Sequence, residues 1–283
     1  MGNNVVYENI DGRDLTLDIY RPKKGEVSTR TAILMVHGGG WVHGSRETVA
    51  PLATALAERG FLAIGMEYRL APEAPWPAQL DDIRAALRWV DNNARQLGVA
   101  KDRIVALGFS VGGHMALLAA AAQQGEPRFA AVVSLFASGE VSVGQQPPKG
   151  VLDATVILGP DATDEAIGSA SPLQQLTPEC PPVLLLHGGA DWLVDPVASV
   201  RLYEKLVELS VTAELHIVAG AHHEFASEPG FVGAVAGQIE RFLDRALIRP
   251  AHCAAESRKH NIFAQGPEAL QALMAQMAEQ NPG

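Results

Sequence analysis

The chain has 283 residues, 47% of them hydrophobic, and a formal net charge of −10. That length and apolar content suit one large domain with a buried core, while an acidic balance with scattered basic residues excludes nucleic acid and anionic membrane surfaces as partners, since both need clustered cations. No apolar run approaches the roughly 20 residues of a membrane span. The only cysteines, Cys180 and Cys253, form no disulfide framework and suit a reducing compartment. The N-terminus has neither a basic n-region nor an apolar h-region, so the expected address is cytoplasmic.

In chain order, short apolar stretches read as strands at 5–8, 15–20, 31–36, 61–67, 103–107, 129–136, 182–187 and 213–218. Helical patterns fall between them near 47–60, 77–97, 111–124, 196–209 and 231–247. The last is the plainest, with Phe231, Val235, Ile239, Phe242, Leu243 and Leu247 at helical spacing. From residue 31 onward strand and helix alternate, which predicts an α/β fold: a mostly parallel sheet with helices on both faces. Residues 1–248 form the expected main domain, with 138–180 as a lid or cap segment, and 249–283 form a C-terminal extension. Within the extension 249–263 reads as polar and irregular. Residues 267–280 read as an amphipathic helix with Leu270, Leu273, Met274 and Met277 on one stripe. That helix is expected to pack on its own domain, with a homodimer contact or a flap over the site as alternatives.

Two glycine-rich runs carry chemistry. His37-Gly38-Gly39-Gly40-Trp41 follows the strand at 31–36, and Gly108-Phe109-Ser110-Val111-Gly112-Gly113 follows the strand at 103–107. The second is a G-x-S-x-G pattern, in which a serine sits at a strained strand-to-helix turn. A serine hydroxyl is a poor nucleophile, so an imidazole must take its proton during attack on a carbonyl carbon. A carboxylate must orient that imidazole, and N–H groups must meet the developing oxyanion. The N–H of Val111, next after the serine, and those of Gly39 and Gly40 are the candidate donors. Together the two runs point to a serine hydrolase working through an acyl-enzyme.

The acid and base belong after later strands. Asp191 closes the turn after 182–187, and Asp195 is its competitor. Asp195-Pro196 reads as a helix start, with Asp as N-cap and Pro at the first helical position, which favours Asp191. After 213–218 the loop 219–225 offers both His222 and His223, and spacing alone does not separate them. Trp41, Trp192 and Phe225 flank these positions and are candidate substrate-binding walls. The remaining histidines show no zinc or di-iron spacing, and His37, His43, His114 and His187 lie within the motifs themselves. No metal or cofactor is expected.

Further motifs are Tyr68-Arg69-Leu70-Ala71-Pro72-Glu73 followed by Pro75, Pro77, Asp81, Asp82 and Trp89; Asp102-Arg103-Ile104; and His187-Gly188-Gly189-Ala190-Asp191. On these residues the chain, over about 14–247, resembles the α/β-hydrolase superfamily in its hormone-sensitive-lipase-like esterase branch. It also resembles the bacterial feruloyl-esterase and kynurenine-formamidase-like group that borders that branch. The resemblance implies the α/β-hydrolase fold, Asp191 as catalytic acid and His223 as catalytic base. His223-Glu224-Phe225 stands where such proteins usually read His-Gly-Phe, so Glu224 is a departure, and His222 stands where a small residue is common. The implied activity is hydrolysis of small carboxylic esters. An arylformamidase-type amide hydrolase is the alternative and a non-catalytic small-molecule binder the minor one. The residues before His37 read as strands, not as the cap helices of the lipase-like branch. Any lid must therefore come mostly from 138–180, which implies an open site and short acyl or aryl substrates.

Overall fold

Side chains with no polar atoms to satisfy can occupy a sheet covered on both faces, where the ladder satisfies the backbone, and the apolar runs do so here. In the computed structural model, which describes residues 2–23, 28–121, 125, 127–144 and 146–280, ten strands occur in chain order. They are β1 (Gly2–Ile10), β2 (Arg13–Tyr20), β3 (Ala32–Val36), β4 (Leu62–Met66), β5 (Ile104–Phe109), β6 (Ala131–Leu135), β7 (Glu140–Ser142), β8 (Val151–Asp153), β9 (Val183–Gly188) and β10 (Ala213–Val218). Eight of them form one sheet in the order β1-β2-β4-β3-β5-β6-β9-β10. Pairing is parallel from β4 through β10, while β2 runs antiparallel to both β1 and β4. This is the expected α/β sheet, and β1 and β2 are its antiparallel margin.

Every residue of β3, β4, β5, β6 and β9 is buried, as a sheet with helices on both sides requires. Alternation along β3 assigns the faces. Leu34 and Val36 join a core with Ile83, Met115 and Leu202, from the helices Ala78–Asn92, Val111–Ala121 and Val197–Glu208. Ile33 and Met35 join another with Leu52, Leu56, Ile239 and Phe242, from Ala50–Ala57 and Val232–Leu243. Residues 122–124 of the helix expected at 111–124 lie outside the described residues, as do 145 and 281–283.

Residues 138–180 fold as the parallel pair β7·β8 and three short helices, Thr155–Leu158, Asp164–Ser169 and Pro172–Gln175. Buried Ile157, Ala170 and Leu176 seat the segment on the main core. His114, on the helix Val111–Ala121, reaches into it from below: its Nδ1 lies 3.0 Å from the Ser138 carbonyl oxygen and its Nε2 2.7 Å from that of Ala170.

Two expectations for the C-terminal extension need correction. The stretch 249–263 is not irregular: it forms the helix Pro250–His260 and the 3-10 turn Ile262–Gln265. Pro250 suits a first helical turn and Arg258, Lys259 and His260 suit a last one, but no residue of this helix is buried, so it has no apolar stripe to betray it. The helix Pro267–Gln280 forms where expected. However, Leu273, Met274 and Met277 are 38%, 62% and 61% exposed, so its stripe does not pack on the chain's own domain.

Burial lowers the pKa of His114 to about 4, and likewise that of His37, whose ring stacks on Tyr68 at 4.2 Å. Unfolding returns both rings to the ordinary value of 6.5, so between these values the unfolded chain binds protons that the folded chain refuses. Stability must therefore fall as pH drops through that window. Urea midpoints are expected to decline from about pH 6.5 towards about pH 4.5. His114→Gln should flatten the decline while costing stability at neutral pH, and an unchanged slope would show that the ring is not held neutral.

Candidate active site

The close approach of β5 to the helix Val111–Ala121 sets the position of Ser110. A methyl group at Gly108 would collide with the backbone of Gly112 and Gly113, and one at Gly112 with the carbonyls of Val36 and His37. Only glycine permits that crossing. Ser110 turns the chain between strand and helix at φ +54°, a strained conformation for a non-glycine residue. It is held there by its N–H donating to the Leu135 carbonyl at 2.9 Å, and by the N–H groups of Gly113 and His114 donating to its own carbonyl.

β9 delivers the carboxylate. Beyond its end the turn is pinned to the following loop by the N–H of Gly189 to the Val218 carbonyl and of Ala190 to the Ala221 carbonyl. Asp191 Oδ1 accepts the N–H groups of Leu193 and Val194 at 2.9 and 3.0 Å. Its Oδ2 lies 2.7 Å from His223 Nδ1, and His223 Nε2 lies 3.0 Å from Ser110 Oγ. The carboxylate requires the hydrogen on Nδ1, which leaves Nε2 to accept from the serine hydroxyl. Burial pushes the Asp191 carboxyl upward in pKa, but hydrogen bonds from His187, His223 and the Val194 N–H outweigh it and hold the group well below the usual carboxylate range. Phe136 packs edgewise on the His223 ring at 4.8 Å.

The structure thus brings Ser110, His223 and Asp191 into one chain and leaves their sequence neighbours outside it. His222 is exposed, with its Nδ1 against the Ala190 carbonyl. Asp195 receives the Val197 N–H and faces Lys149 at the start of the helix Val197–Glu208. The first glycine-rich run abuts the serine: a methyl at Gly38 would lie 3.3 Å from Ser110 Cβ. Gly39, Gly40 and Trp41 follow in positive φ, at +111°, +61° and +65°. Among the described residues no protein acceptor takes the N–H of Gly39, Gly40 or Val111.

The expected aromatic walls need correction. Trp192 is 81% exposed, but Trp41 is 2% and Phe225 0% exposed. The left-handed turn at Trp41 accompanies a ring packed edgewise on His114 at 5.7 Å, and Phe225 fills the core between Phe136 and Phe231. Both back the site from behind. His187 has a part that the sequence reading did not give it. Its Nδ1 lies 2.7 Å from Ser199 Oγ, while its Nε2 lies 2.9 Å from the Val194 carbonyl and 3.2 Å from Asp191 Oδ2. The Ser199 hydroxyl donates to Nδ1, so Nε2 carries the hydrogen, which the Val194 carbonyl accepts with Asp191 Oδ2 close beside it. A histidine four residues before a strand-end aspartate was the available signal.

A hydroxyl bonded to an imidazole, itself oriented by an ionised carboxylate, can lose its proton while attacking an electrophilic carbon. Among the described residues no group of three or more His, Cys, Asp or Glu side chains converges as a metal site, and no helix is long and apolar enough to cross a membrane.

The sheet order, the strand–serine–helix turn and the histidine loop after the last strand define an α/β-hydrolase. Within that class the chain belongs to the BD-FAE family, whose model matches residues 17–206. It is 28% identical to Esterase LipC of Mycobacterium tuberculosis over 85% of this chain and 64% of LipC. It is 31% identical to the probable carboxylic ester hydrolase LipM of the same organism, over 82% of this chain and 58% of LipM. The chain therefore spans less than two thirds of the length of these curated relatives. The propionate-bound structure of esterase Est2 from Thermogutta terrifontis superposes with a TM-score of 0.72 at 26% identity, covering 87% of this chain and 94% of that one.

Because buried Asp191 satisfies several donors at once, its loss leaves them unpaired. Asp191→Ala is expected to cost about 3 kcal/mol in urea unfolding, and Asp195→Ala, at a half-exposed helix start, about 1 kcal/mol. Equal losses would mean that the Asp191 network contributes no more than an ordinary cap.

Proposed function

We propose that the protein is a serine carboxylesterase that cleaves short-chain acyl or aryl esters through an acyl-enzyme intermediate. The observation that carries this reading is the unbroken chain Ser110–His223–Asp191 beside three N–H groups with no protein acceptor. Ser110 Oγ attacks the ester carbon as His223 Nε2 takes its proton. Asp191 stabilises the imidazolium and holds its Nδ1 hydrogen in place. The N–H groups of Gly39, Gly40 and Val111 receive the oxyanion. His223 then gives the proton to the departing alcohol, and water repeats the sequence on the acyl-enzyme. The names of LipC and LipM and the fold shared with Est2 support ester chemistry. Two free cysteines fit a cytoplasmic setting.

Each added methylene on a substrate gains about 0.8 kcal/mol only where an apolar wall buries it. With Trp41 and Phe225 turned into the core, the exposed wall residue is Trp192. Est2 structures hold propionate and butyrate, which supports a small acyl group here as well.

A fluorophosphonate probe should add one mass increment to the protein, lost in Ser110→Ala. Asp191→Asn should lower kcat by about 10⁴, and His223→Ala should abolish turnover where His222→Ala retains much of it. Labelling that survives Ser110→Ala would overturn the assignment. Across p-nitrophenyl esters, kcat/KM should peak between roughly C2 and C6 acyl chains and exceed that for N-formylkynurenine. A value still rising at palmitate would show a closed acyl tunnel, and a preference for the formamide would transfer the protein to amide chemistry.

A further inference from the structure

An open cavity of about 280 Å³ lies beside the nucleophile, lined by Gly38, Gly39, His43, Thr48, Glu224 and Ser227 among others. A methyl placed on Gly38 would sit 3.3 Å from Ser110 Cβ and 3.7 Å from Glu224 Oε1, so the Glu224 carboxylate shares the immediate surroundings of the serine. Glu224 directly follows His223 and adopts φ +62°, a left-handed conformation that glycine would hold without strain. Among the described residues no cation pairs with its carboxylate and no donor reaches it. A strained, unpartnered and exposed carboxylate at the rim of this open cavity, in a chain of net charge −10, presents a negative field to whatever enters.

Reaction geometry says which part of an ester enters. The carbonyl oxygen faces the N–H groups of Gly39, Gly40 and Val111, and the departing oxygen must lie within reach of the proton on His223 Nε2. The cavity is bounded by Gly38 and Gly39 of the first glycine-rich loop on one side and by Glu224 and Ser227, which follow His223 in the chain, on the other. We propose that it receives the alcohol portion of the substrate, and that Glu224 selects esters whose alcohol carries a positive charge, an alkylammonium group in particular. This rests on the esterase reading above. The preference comes from charge in a partly solvated setting, so it is moderate and weakens with salt.

The test compares butyrylcholine with its uncharged isostere 3,3-dimethylbutyl butyrate, so that size and acyl group cancel. The wild-type protein should favour the cationic ester by about tenfold in kcat/KM, carried mainly by KM, and raising ionic strength to about 0.5 M should shrink that ratio. Glu224→Gln should bring the ratio near unity and remove its salt dependence. Glu224→Gly, which relieves the backbone as well, should do the same and so separate charge from strain. A wild-type ratio near one, or a preference that persists in both variants, overturns the proposal while leaving the esterase intact. Failure to hydrolyse either ester, with no phosphonate adduct on Ser110, overturns the esterase reading and this inference with it.

Discussion

The close crossing of β5 over the helix Val111–Ala121 is the constraint on which the rest of the site depends. Gly108 and Gly112 have no space for a side chain, and the chain can turn between strand and helix only by placing Ser110 at positive φ. That one conformation lifts the hydroxyl clear of the sheet and leaves the Val111 N–H unengaged at the helix start. It also brings the first glycine-rich loop against Ser110. The strain is sustained because the flanking strand and the helix from Val111 to Ala120 are buried, so relaxing the turn would mean parting two packed elements.

Asp191 is the electrostatic counterpart of that crossing. Its position comes from the parallel pairing of β9 with β10, which sets the turns after both strands side by side, so Asp191 and His223 are carried by neighbouring strand ends. Backbone donors take one oxygen and two imidazoles share the other. Such a carboxylate has little freedom to rotate, and the geometry of His223 follows from it. His187 and Ser199 extend the order one step further into the core, where solvent does not compete.

Much of this was legible in the sequence because it follows local rules. The sheet strands from residue 31 onward announce themselves as apolar runs between helical patterns, and the two glycine runs report steric needs that only glycine meets. Asp191 and His223 could be narrowed to one of two neighbours by strand ends and capping logic. What was not legible depends on packing between distant segments. The burial of Trp41 and Phe225 follows from a backbone reversal at 41 and from the aromatic cluster of Phe136, Phe225 and Phe231. Neither leaves a periodic trace. The helix Pro250–His260 was missed for the opposite reason: it buries nothing, so periodicity had no signal to report. The ring of His187 gains its meaning only from Ser199, twelve residues away on the next helix.

The order of the sheet leaves two strands with an unpaired margin, β1 and β10. An open margin is a template on which another chain can add a strand. Both are defended here, by different means. The register of β1 against β2 slips between Gly2 and Val5 and again between Val6 and Glu8, which bends the ribbon away from a straight, matchable line. β10 carries Glu214 and His216, with Arg245 paired to Glu214, so its margin bears charged side chains that a strand laid alongside would have to desolvate. The two margins at which the eight-stranded sheet ends thus differ in kind, one irregular in its register and the other charged.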